Sequence, residues 1–321
     1  MLATKKISVI LPVYNGIKYL KESVESVLSQ DIDNFEFLIC DDCSTDESYK
    51  YLQSLNNDNI RLFRNEQNRG LFPTLNFLIK QSNSKLIHLW AQDDIMYPNC
   101  LSETVRYHHN FPEVKFSFSR WHTIDENGKI IDKGSEIKDK TISPLGHAKS
   151  SILYGSIAGN IANVTVLKSA IENVGLFNEK MKYAGDFDMW CKLSQNTDVG
   201  MSGGYLIKLR RHSGQLSRNL EASYYKLSEI LEVYKCFLKH FDGKQLKIAK
   251  RALNWKIYTQ YYNQLLFMKK QGNKTLAKKY KKKLKEYDSL LNLFFRWVII
   301  RIFRVLKIEN KFYQKYIISK F

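Results

Sequence analysis

The sequence predicts an α/β protein with a mostly parallel, doubly wound sheet and a C-terminal α-helical appendage. Three observations support this fold class. Short apolar runs alternate with helical periodicities through the first hundred residues, as expected of a parallel sheet covered by helices. Two of these runs end in paired carboxylates, at the strand ends where open α/β sheets bind ligands. The positive charge is concentrated in the last hundred residues, which indicates a separate region.

Apolar runs predict four strands in the first part of the chain, at 7–13, 35–40, 60–63 and 85–90. Helical spacing follows the first three strands, and a Ser-Thr-Asp cap at 44–46 opens the second of these helices. Pro73 begins the third helix and Pro98 begins a fourth, because proline is favoured in the first helical turn. This order of elements is typical of a doubly wound sheet.

Beyond Pro112 the pattern changes. Asn127-Gly128 between the apolar runs 114–122 and 129–132 predicts a hairpin, and the polar stretch 133–147 is expected to be a loop. Further strands are predicted at 163–167 and 205–209, with short helices between them. The second of these helices starts near Asp186.

The charge distribution predicts a domain boundary near residue 220. Residues 1–220 contain 26 Lys and Arg against 25 Asp and Glu, whereas residues 221–321 contain 24 against 7. We therefore expect a domain with little net charge at 1–220 and a basic, amphipathic helical region at 221–321. The five cysteines form no regular framework, which favours a reducing compartment.

The acid pairs Asp41-Asp42 and Asp93-Asp94 are the candidate functional residues. Adjacent carboxylates repel each other unless a divalent cation or a set of hydrogen-bond donors holds them. The alternative for each pair is a solvated turn. The sequence contains neither a G-x-G-x-x-G nor a G-x-x-x-x-G-K-S/T motif, so neither a Rossmann dinucleotide site nor a P-loop is indicated.

Five segments in order resemble the family 2 glycosyltransferases, which are inverting enzymes with the GT-A fold. The resemblance covers residues 7 to about 218, two-thirds of the chain. The matching segments are SVILPVYN at 8–15, FEFLICDDCSTD at 35–46, NRG at 68–70, QDD at 92–94 followed by Pro98, and GDFDMW at 185–190.

The resemblance implies a pocket for the nucleotide of a sugar nucleotide. In this pocket Tyr14 would stack on the base, and Asp42 would accept a hydrogen bond from it. Pro12 and Val13 would line the pocket through their backbone. Arg69 would contact the diphosphate, or it is a solvated turn residue.

The resemblance also implies a site for Mn²⁺ or Mg²⁺. Asp94 would bind the metal, Asp93 would contact the ribose or the metal shell, and His212 would be a further metal ligand. The alternative for His212 is a structural histidine. Many family members carry D-x-D-D at this place, where this chain has Ala91 as the first residue. We therefore expect a leaner coordination shell and a lower metal affinity.

Asp186 matches the general base of the family. A carboxylate that takes the proton of an acceptor hydroxyl would allow one direct, inverting displacement at the anomeric carbon. The alternative for Asp186 is a helix N-cap. Asp188 would orient the acceptor, or it faces solvent.

These residues predict a metal-dependent hexosyltransferase that moves a sugar from a nucleotide sugar, with UDP the favoured carrier. The acceptor would be a glycan or a lipid-linked molecule in surface polysaccharide synthesis. A second hypothesis is a sugar-nucleotide-forming nucleotidyltransferase, but Tyr14-Asn15-Gly16 replaces the Gly-rich basic loop such enzymes carry. A third is a non-catalytic protein that binds membranes or polyanions, which the intact acids Asp42, Asp94 and Asp186 disfavour.

The basic region predicts attachment to an anionic membrane surface through residues 269–321. Nine lysines and no acid lie between 269 and 285, and half of the predicted helix at 290–307 is apolar. Both features are typical of an interfacial helix beside a polybasic segment. The alternative is that this apolar face packs on the catalytic domain or on a second copy in a homo-oligomer. Nucleic-acid binding is not expected, because no base-reading module accompanies the charge.

The amino-terminal residues show no secretory signal, and no stretch is apolar enough to span a membrane. We therefore expect a cytoplasmic protein, peripherally associated with the inner face of the membrane.

Overall fold

A computed structural model describes residues 6–132, 137–212, 214 and 220–320 of the chain, with the side chains of the last range from residue 224 onward. It separates into two compact units. The first comprises Met1–Pro144 and Ala158–Gln215, and the second comprises Leu145–Ile157 and Leu216–Phe321. The sequence analysis placed one boundary after residue 220, whereas the second unit also takes in the segment 145–157.

One sheet organises the first unit. In the described residues it has nine strands, in the order β3-β2-β1-β4-β8-β6-β9-β5, with β7 paired to β9. The strands are β1 (Ile7–Val13), β2 (Phe35–Asp41), β3 (Ile60–Arg64), β4 (Leu86–Leu89), β5 (Ile95–Met96), β6 (Phe116–Ile124), β7 (Lys140–Ile142), β8 (Val164–Leu167) and β9 (Val199–Arg210).

The first four strands are parallel, as the sequence predicts. In register, Val13 of β1 lies beside Asp41 of β2, and Ile10 lies beside Leu89 of β4. The rest of the sheet is mixed, because β8 is antiparallel to both β4 and β6, while β6 and β9 are parallel. The carboxyl ends of β1, β2 and β4 therefore meet at one edge of the sheet.

Seven α-helices lie between residues 17 and 193 in the described part of this range. They are α1 (Ile17–Leu28), α2 (Ser48–Gln53), α3 (Leu71–Gln81), α4 (Cys100–Asn110), α5 (Pro144–Tyr154), α6 (Lys168–Asn173) and α7 (Gly185–Leu193). Strands β1 and β2 are buried along nearly their whole length, as are the apolar faces of α1 and α3. This burial explains why near-continuous apolar runs predict the strands correctly.

Two local predictions were wrong, and one short strand was not predicted. The stretch 133–147 is not simply a loop, because its described part contains β7 and the start of α5. The second hairpin strand is reduced to one bridge between Ile124 and Ile130. The short strand β5 follows the second acid pair and bonds to β9. Strands β7 and β5 both pair with β9, a partner distant in sequence, so local periodicity does not reveal them.

The second unit is helical. Its main helices are α8 (Leu220–Leu238), α9 (Gly243–Ala252), α10 (Thr259–Lys270), α11 (Lys274–Lys285), α12 (Leu290–Val305) and α13 (Glu309–Tyr316). A break at Asp242 precedes α9, and a π-helical segment at Leu253–Tyr258 joins α9 to α10. On α11, Ala277, Tyr280 and Leu284 are buried, so the lysine-rich helix is part of the packed unit. No helix in the described part of the chain is long and apolar enough to cross a membrane.

Candidate active site

The acid pair Asp93-Asp94 follows β4 and is held by a buried arginine. Asp94 is 2% exposed, and its Oδ1 accepts a hydrogen bond from the backbone N–H of Arg210 at 2.8 Å. The Arg210 guanidinium donates to the Asp93 and Glu126 carbonyls, at 3.0 Å each, and pairs with Glu22 of α1. The planar guanidinium of arginine suits such a site, because its several N–H donors join three parts of the chain at once.

Burial, together with the neighbouring Asp93 charge, raises the pKa of Asp94 well above its ordinary value, and the Arg210 N–H bond opposes this effect. Asp93 is less buried, and its Oδ2 lies 3.0 Å from His212 Nε2. The His212 ring also packs against Tyr19, with 4.9 Å between ring centroids. The structure thus brings His212 to the acid pair, as the resemblance implies.

The described residues contain no group of three or more His, Cys, Asp or Glu side chains that could hold a metal ion. In the present arrangement His212 Nε2 bonds to Asp93, and Asp94 Oδ1 accepts from the backbone. Two carboxylates and an imidazole are nevertheless donors of the type that Mn²⁺ accepts. The metal site therefore stays a prediction.

Tyr14, the residue predicted to stack on a base, is 43% exposed on the turn after β1. The side chain of Gln92, which lies on the acid-pair turn, holds the turn of Tyr14. It accepts a hydrogen bond from Tyr14 N–H at 2.9 Å and donates one to the Tyr14 carbonyl at 3.0 Å. The Gln92 side chain occupies the space that a Cβ on Gly16 would need, about 2.4 Å from its position. Gly16 therefore allows the close approach of the β1 turn and the acid-pair turn.

The turns after β1 and β2 also interlock. Asn15, with a φ of 47°, accepts from Thr45 N–H at 2.8 Å through its side chain. In return Ser44 and Ser48 accept from the N–H groups of Asn15 and Gly16 at 3.0 Å each. Asp46 does not cap the next helix directly, since α2 begins at Ser48. Instead Asp46 accepts from Ser48 N–H and Ile17 N–H.

Asp42, predicted to contact the base, is 3% exposed and holds the turn before α3. Its carboxylate accepts from Arg69 N–H at 2.9 Å, Gly70 N–H at 2.8 Å and Asn65 Nδ2 at 2.7 Å. Its own N–H donates to the Val13 carbonyl at 2.7 Å. Val13 is fully buried, so only its backbone is available to a ligand, and the Arg69 side chain is exposed.

Asp41 has donors of its own, and these explain how the first acid pair is tolerated. Its Oδ2 accepts from Ser44 N–H at 3.0 Å and lies 3.3 Å from Arg64 Nε. Adjacent carboxylates need either a divalent cation or a set of hydrogen-bond donors. Hydrogen-bond donors therefore hold the pair Asp41-Asp42. Pro12 lies one residue before the register partner of Asp41 on β1.

Asp186 lies in the first turn of α7, half-buried. The N-cap position is Ala184, so the alternative role of Asp186 as the N-cap residue was wrong. Its Oδ1 accepts from the adjacent Phe187 N–H at 2.7 Å. Asp188, two residues further along α7, forms an ion pair with Lys192 at 2.6 Å.

Helix α3 connects the Asp186 segment to the rest of the edge. The Phe72 ring packs so closely on Gly185 that a Cβ there would lie 2.6 Å from it. Asn76 donates to the Phe177 carbonyl and accepts from Phe177 N–H, at 3.0 Å each. Asn65, which bonds to Asp42, also donates to Thr74 of α3 at 3.1 Å. A continuous set of contacts thus runs from Asp42 through α3 to the segment that carries Asp186.

The residues that sequence reasoning missed are those that hold the site together: Gln92, Arg210, Asn65 and Asn76. Gln92 lies inside the matching segment at 92–94, and Arg210 directly follows the predicted strand at 205–209. Nothing in the sequence distinguishes a buried positioning arginine such as Arg210 from its exposed neighbour Arg211.

Comparison with known proteins identifies the family. Residues 8–164 match the family model described as glycosyl transferase family 2. An uncharacterized glycosyltransferase of Rickettsia prowazekii is 25% identical over 279 residues, covering 83% of this chain and 80% of the relative. The putative glycosyltransferase EpsE of Bacillus subtilis is 25% identical, covering 72% of this chain and 75% of the relative.

A solved structure supports the fold. Residues 1–349 of S. aureus TarS, crystallised in complex with UDP-GlcNAc, match with a TM-score of 0.58 at 18% identity. The match covers 81% of this chain and 79% of the TarS chain. The α/β fold of the GT-A type, with a helical C-terminal region, is thereby confirmed. The chain therefore contains a glycosyl transferase family 2 domain, which spans residues 8–164.

Proposed function

We propose that this glycosyltransferase moves a sugar from a nucleotide sugar, with UDP as the carrier, to a glycan or lipid-linked acceptor. One observation carries the proposal: the exposed Tyr14 turn and the acid-pair turn are bonded directly to each other through Gln92. An aromatic ring for a base and carboxylates for a ribose or metal shell thus lie side by side at one sheet edge. The complexes of TarS with UDP and with UDP-GlcNAc support the choice of UDP.

In the proposed reaction, Asp186 takes the proton of the acceptor hydroxyl as that oxygen attacks the anomeric carbon. The bond from this carbon to the diphosphate oxygen breaks in the same step, and the anomeric configuration inverts. Positioning of this carboxylate falls to α3, through Phe72 and Asn76. General-base catalysis of this kind contributes roughly 10²–10⁴-fold in rate.

The departing nucleoside diphosphate gains negative charge, and we propose Mn²⁺ or Mg²⁺ as the cofactor that neutralises it. Asp94 and His212 would hold the ion, with Asp93 in contact with the ribose or the metal shell. Burial and the neighbouring Asp93 charge raise the pKa of Asp94, and a bound cation would oppose this shift by favouring the charged carboxylate. Metal binding would require His212 Nε2 to exchange its hydrogen bond with Asp93 for the ion.

The geometry of the β1 turn argues against the nucleotidyltransferase alternative. A phosphate-cradling loop needs backbone N–H groups that are available to the ligand. Here four consecutive N–H groups, from residue 14 to residue 17, donate to side chains of Gln92, Ser44, Ser48 and Asp46. None of these four donors remains for a phosphate.

A nucleotide-release screen tests the proposed reaction. The full chain is incubated with a panel of sugar nucleotides in Mn²⁺ or Mg²⁺, and the released nucleoside diphosphate is measured. We expect slow hydrolysis of one donor, strongest with a UDP-sugar. Hydrolysis should be lost in Asp94→Ala and in excess EDTA. Full activity in EDTA would refute the metal, and release of pyrophosphate from sugar 1-phosphate plus UTP would favour the nucleotidyltransferase.

We also propose that the second unit attaches the enzyme to an anionic membrane surface. Six apolar residues of α12 and its C-cap are exposed: Leu291, Phe294, Phe295, Ile302, Val305 and the C-cap Leu306. At 100° per residue they fall within an arc of about 120°. The net charge of +17 over residues 221–321 would attract anionic lipid, and the exposed stripe would insert at the headgroup boundary.

The residues that insert differ from those that the apolar composition of the helix suggests. Leu293 and Ile300 are 0% and 6% exposed, so they belong to the packed interior of the unit. Arg296 and Arg304 flank this buried seam, and they pair with Asp288 and Glu309. The buried seam of α12 thus lies on the side of its cations, of which Arg296 is largely buried whereas Arg301 and Arg304 are exposed, and the apolar stripe lies on the opposite side.

Vesicle co-sedimentation separates attachment from self-association. Substituting Phe295→Ser and Leu306→Ser should weaken binding to anionic vesicles about tenfold or more, since a large apolar side chain contributes roughly 1.5–3 kcal/mol when buried. Phe267→Ser is the matched control, because Phe267 is 50% exposed on α10. Salt should weaken binding without abolishing it. Weak vesicle binding combined with a dimer that the double substitution dissociates would assign the stripe to a second copy.

A further inference from the structure

A cavity of about 670 Å³ lies within the helical second unit. Side chains from α5, the π-helical segment, α10, α12 and α13 line it, and they comprise three aromatic rings, five amides, three cations and one carboxylate. Its volume falls within the range of small-molecule sites, roughly 300–1,000 Å³. The lining is more polar than such sites usually are, which indicates a polar ligand.

The charge of the lining is unbalanced. Arg304 forms a two-pronged pair with Glu309, the only carboxylate of the lining, at 2.8 and 2.9 Å. Lys256 and Arg301 have no carboxylate within 4 Å among the described residues. The lining therefore carries a net charge of about +2, equal and opposite to that of a phosphate monoester, roughly −1.5 to −2.

The uncharged polar groups also present hydrogen-bond donors. Asn263 uses its side-chain oxygen to accept from Trp297 Nε1 at 3.2 Å, and Gln264 uses its oxygen to accept from the Tyr280 hydroxyl at 2.8 Å. The NH₂ groups of both amides remain for a ligand. Burial lowers the pKa of Lys256, and the nearby Glu309 opposes this shift. A ligand rich in acceptor oxygens satisfies this lining.

Aromatic rings lie directly beside the cations. Lys256 Nζ is 4.2 Å from the Tyr154 ring centroid and 5.5 Å from that of Tyr313. The Arg301 guanidinium carbon is 5.2 Å from the Trp297 ring. Tyr154 is 60% exposed, so its ring is accessible to the C–H face of a sugar. Ring faces combined with amide donors are the groups that bind carbohydrate, and the cations add selectivity for an anionic substituent.

We propose that this cavity is a binding site for a phosphate-bearing sugar, separate from the nucleotide-sugar site. The phosphate binds between Lys256 and Arg301, the amides donate to hydroxyl oxygens, and Tyr154 stacks on the sugar ring. The ligand is either a free sugar phosphate or the phosphorylated headgroup of a glycolipid. The site does not depend on the proposed transfer reaction, because binding is measured directly.

Isothermal titration of the full chain with glucose 1-phosphate tests the site, with glucose and inorganic phosphate as separate probes. Glucose 1-phosphate should bind more tightly than either. Lys256→Met, which retains the apolar stem, should weaken its binding roughly tenfold by removing a charge-assisted hydrogen bond. Tyr154→Ala should weaken glucose 1-phosphate binding and leave phosphate binding unchanged. Lys278→Met, at an exposed lysine of α11, is the matched control and should bind like the wild type.

Titration with UDP distinguishes this cavity from the donor site. Lys256→Met should leave UDP affinity and donor hydrolysis unchanged, so failure of the transfer reaction and failure of this site give different results. An unchanged affinity of Lys256→Met for glucose 1-phosphate would overturn the proposal. Equal affinities of the wild type for glucose 1-phosphate and inorganic phosphate would overturn it as well.

Vesicles distinguish the two sources of the ligand. Phosphatidylinositol carries a phosphorylated sugar alcohol, whereas phosphatidylglycerol has the same charge without the ring. A preference for phosphatidylinositol that Lys256→Met removes would assign the site to a lipid headgroup. Equal binding to both vesicles, with the titration result above, would assign it to a free sugar phosphate.

Discussion

At the scale of single residues, the site depends on buried polar groups that hold exposed ones in place. The carboxylate of Asp42 accepts hydrogen bonds from three donors, and Arg210 binds both the acid-pair turn and α1. Only Tyr14 and Arg69 of the predicted site residues are exposed. The chemistry and the positioning are therefore distributed over different residues, and the two roles are separable by substitution.

Asp186→Asn tests the general base. The amide keeps the shape of the side chain but does not accept the proton, so we expect roughly 10²–10⁴-fold slower transfer with unchanged UDP binding. The variant should unfold at the same temperature as the wild type. A parallel loss of nucleotide affinity and rate would instead identify Asp186 as a structural acid.

Arg210→Lys tests the positioning role of the buried arginine. Lysine keeps the charge but lacks the fork that reaches the Asp93 and Glu126 carbonyls. Loss of charged hydrogen bonds should lower the free energy of unfolding by about 2 kcal/mol and slow donor hydrolysis. Arg211→Lys is the control, because Arg211 is exposed. Equal stability of the two variants in urea would show that the guanidinium fork does not hold the turn.

At the scale of elements, α3 determines where α7 places Asp186. Helix α3 begins at a turn that Asp42 holds, and its Phe72 and Asn76 contact the segment before and at the start of α7. Sequence periodicity predicts both helices. It does not predict that one positions the other, because their contacts join residues about a hundred positions apart.

Gly185→Ala tests this coupling. The added methyl group would lie 2.6–2.9 Å from the Phe72 ring, so either the ring or α7 must move. We expect slower transfer and a loss of stability of about 1–3 kcal/mol, as in other overpacked cores. Combining Gly185→Ala with Phe72→Leu should restore part of the rate, because leucine leaves room for the methyl group. If the double variant is no faster than Gly185→Ala alone, the Phe72 contact does not position Asp186.

At the scale of the whole molecule, the two units differ in what they bury. The first unit buries polar groups that serve a site, whereas the second buries aromatic and aliphatic side chains beneath a basic surface. Because Tyr280 and Leu284 of α11 are buried, removing residues 269–321 would expose the interior of the second unit. Point substitutions on α12 are therefore a cleaner test of membrane attachment than truncation.

Buried histidines predict acid sensitivity of the whole fold. Burial lowers the pKa values of His88, His108 and His147 to about 4 each. Between pH 6.5 and 4 the unfolded chain binds protons that the folded chain does not, so stability falls as the pH falls. His88 alone should account for about 2 kcal/mol between pH 8 and pH 5.

Urea unfolding at several pH values measures this effect. His88→Gln should reduce the fall in unfolding free energy between pH 8 and pH 5, whatever its effect on stability at pH 8. The same substitution at the exposed His109 is the control and should leave the pH dependence unchanged. An identical pH dependence in His88→Gln and the wild type would contradict the low pKa of His88.

The sequence by itself determined the parallel half of the sheet, the two acid pairs and the existence of a basic helical region. These features are encoded locally. Buried parallel strands are continuous apolar runs, and the residues that follow such strands lie at one edge of the sheet. The family resemblance added the order of the motifs, and the family model matches residues 8–164, which contain four of the five segments.

Only the tertiary structure decided what holds the site and which side of α12 faces outward. A helix with an apolar half and a cationic half packs either half inward, depending on the partners available to each. Here Leu293 and Ile300 fill the interior, while Arg296 and Arg304 beside them pair with Asp288 and Glu309. The tertiary structure also decided the roles of Gln92 and Arg210, whose partners lie 78 and 116 residues away along the chain. Such pairings arise from the packing of distant segments, so no local pattern reveals them.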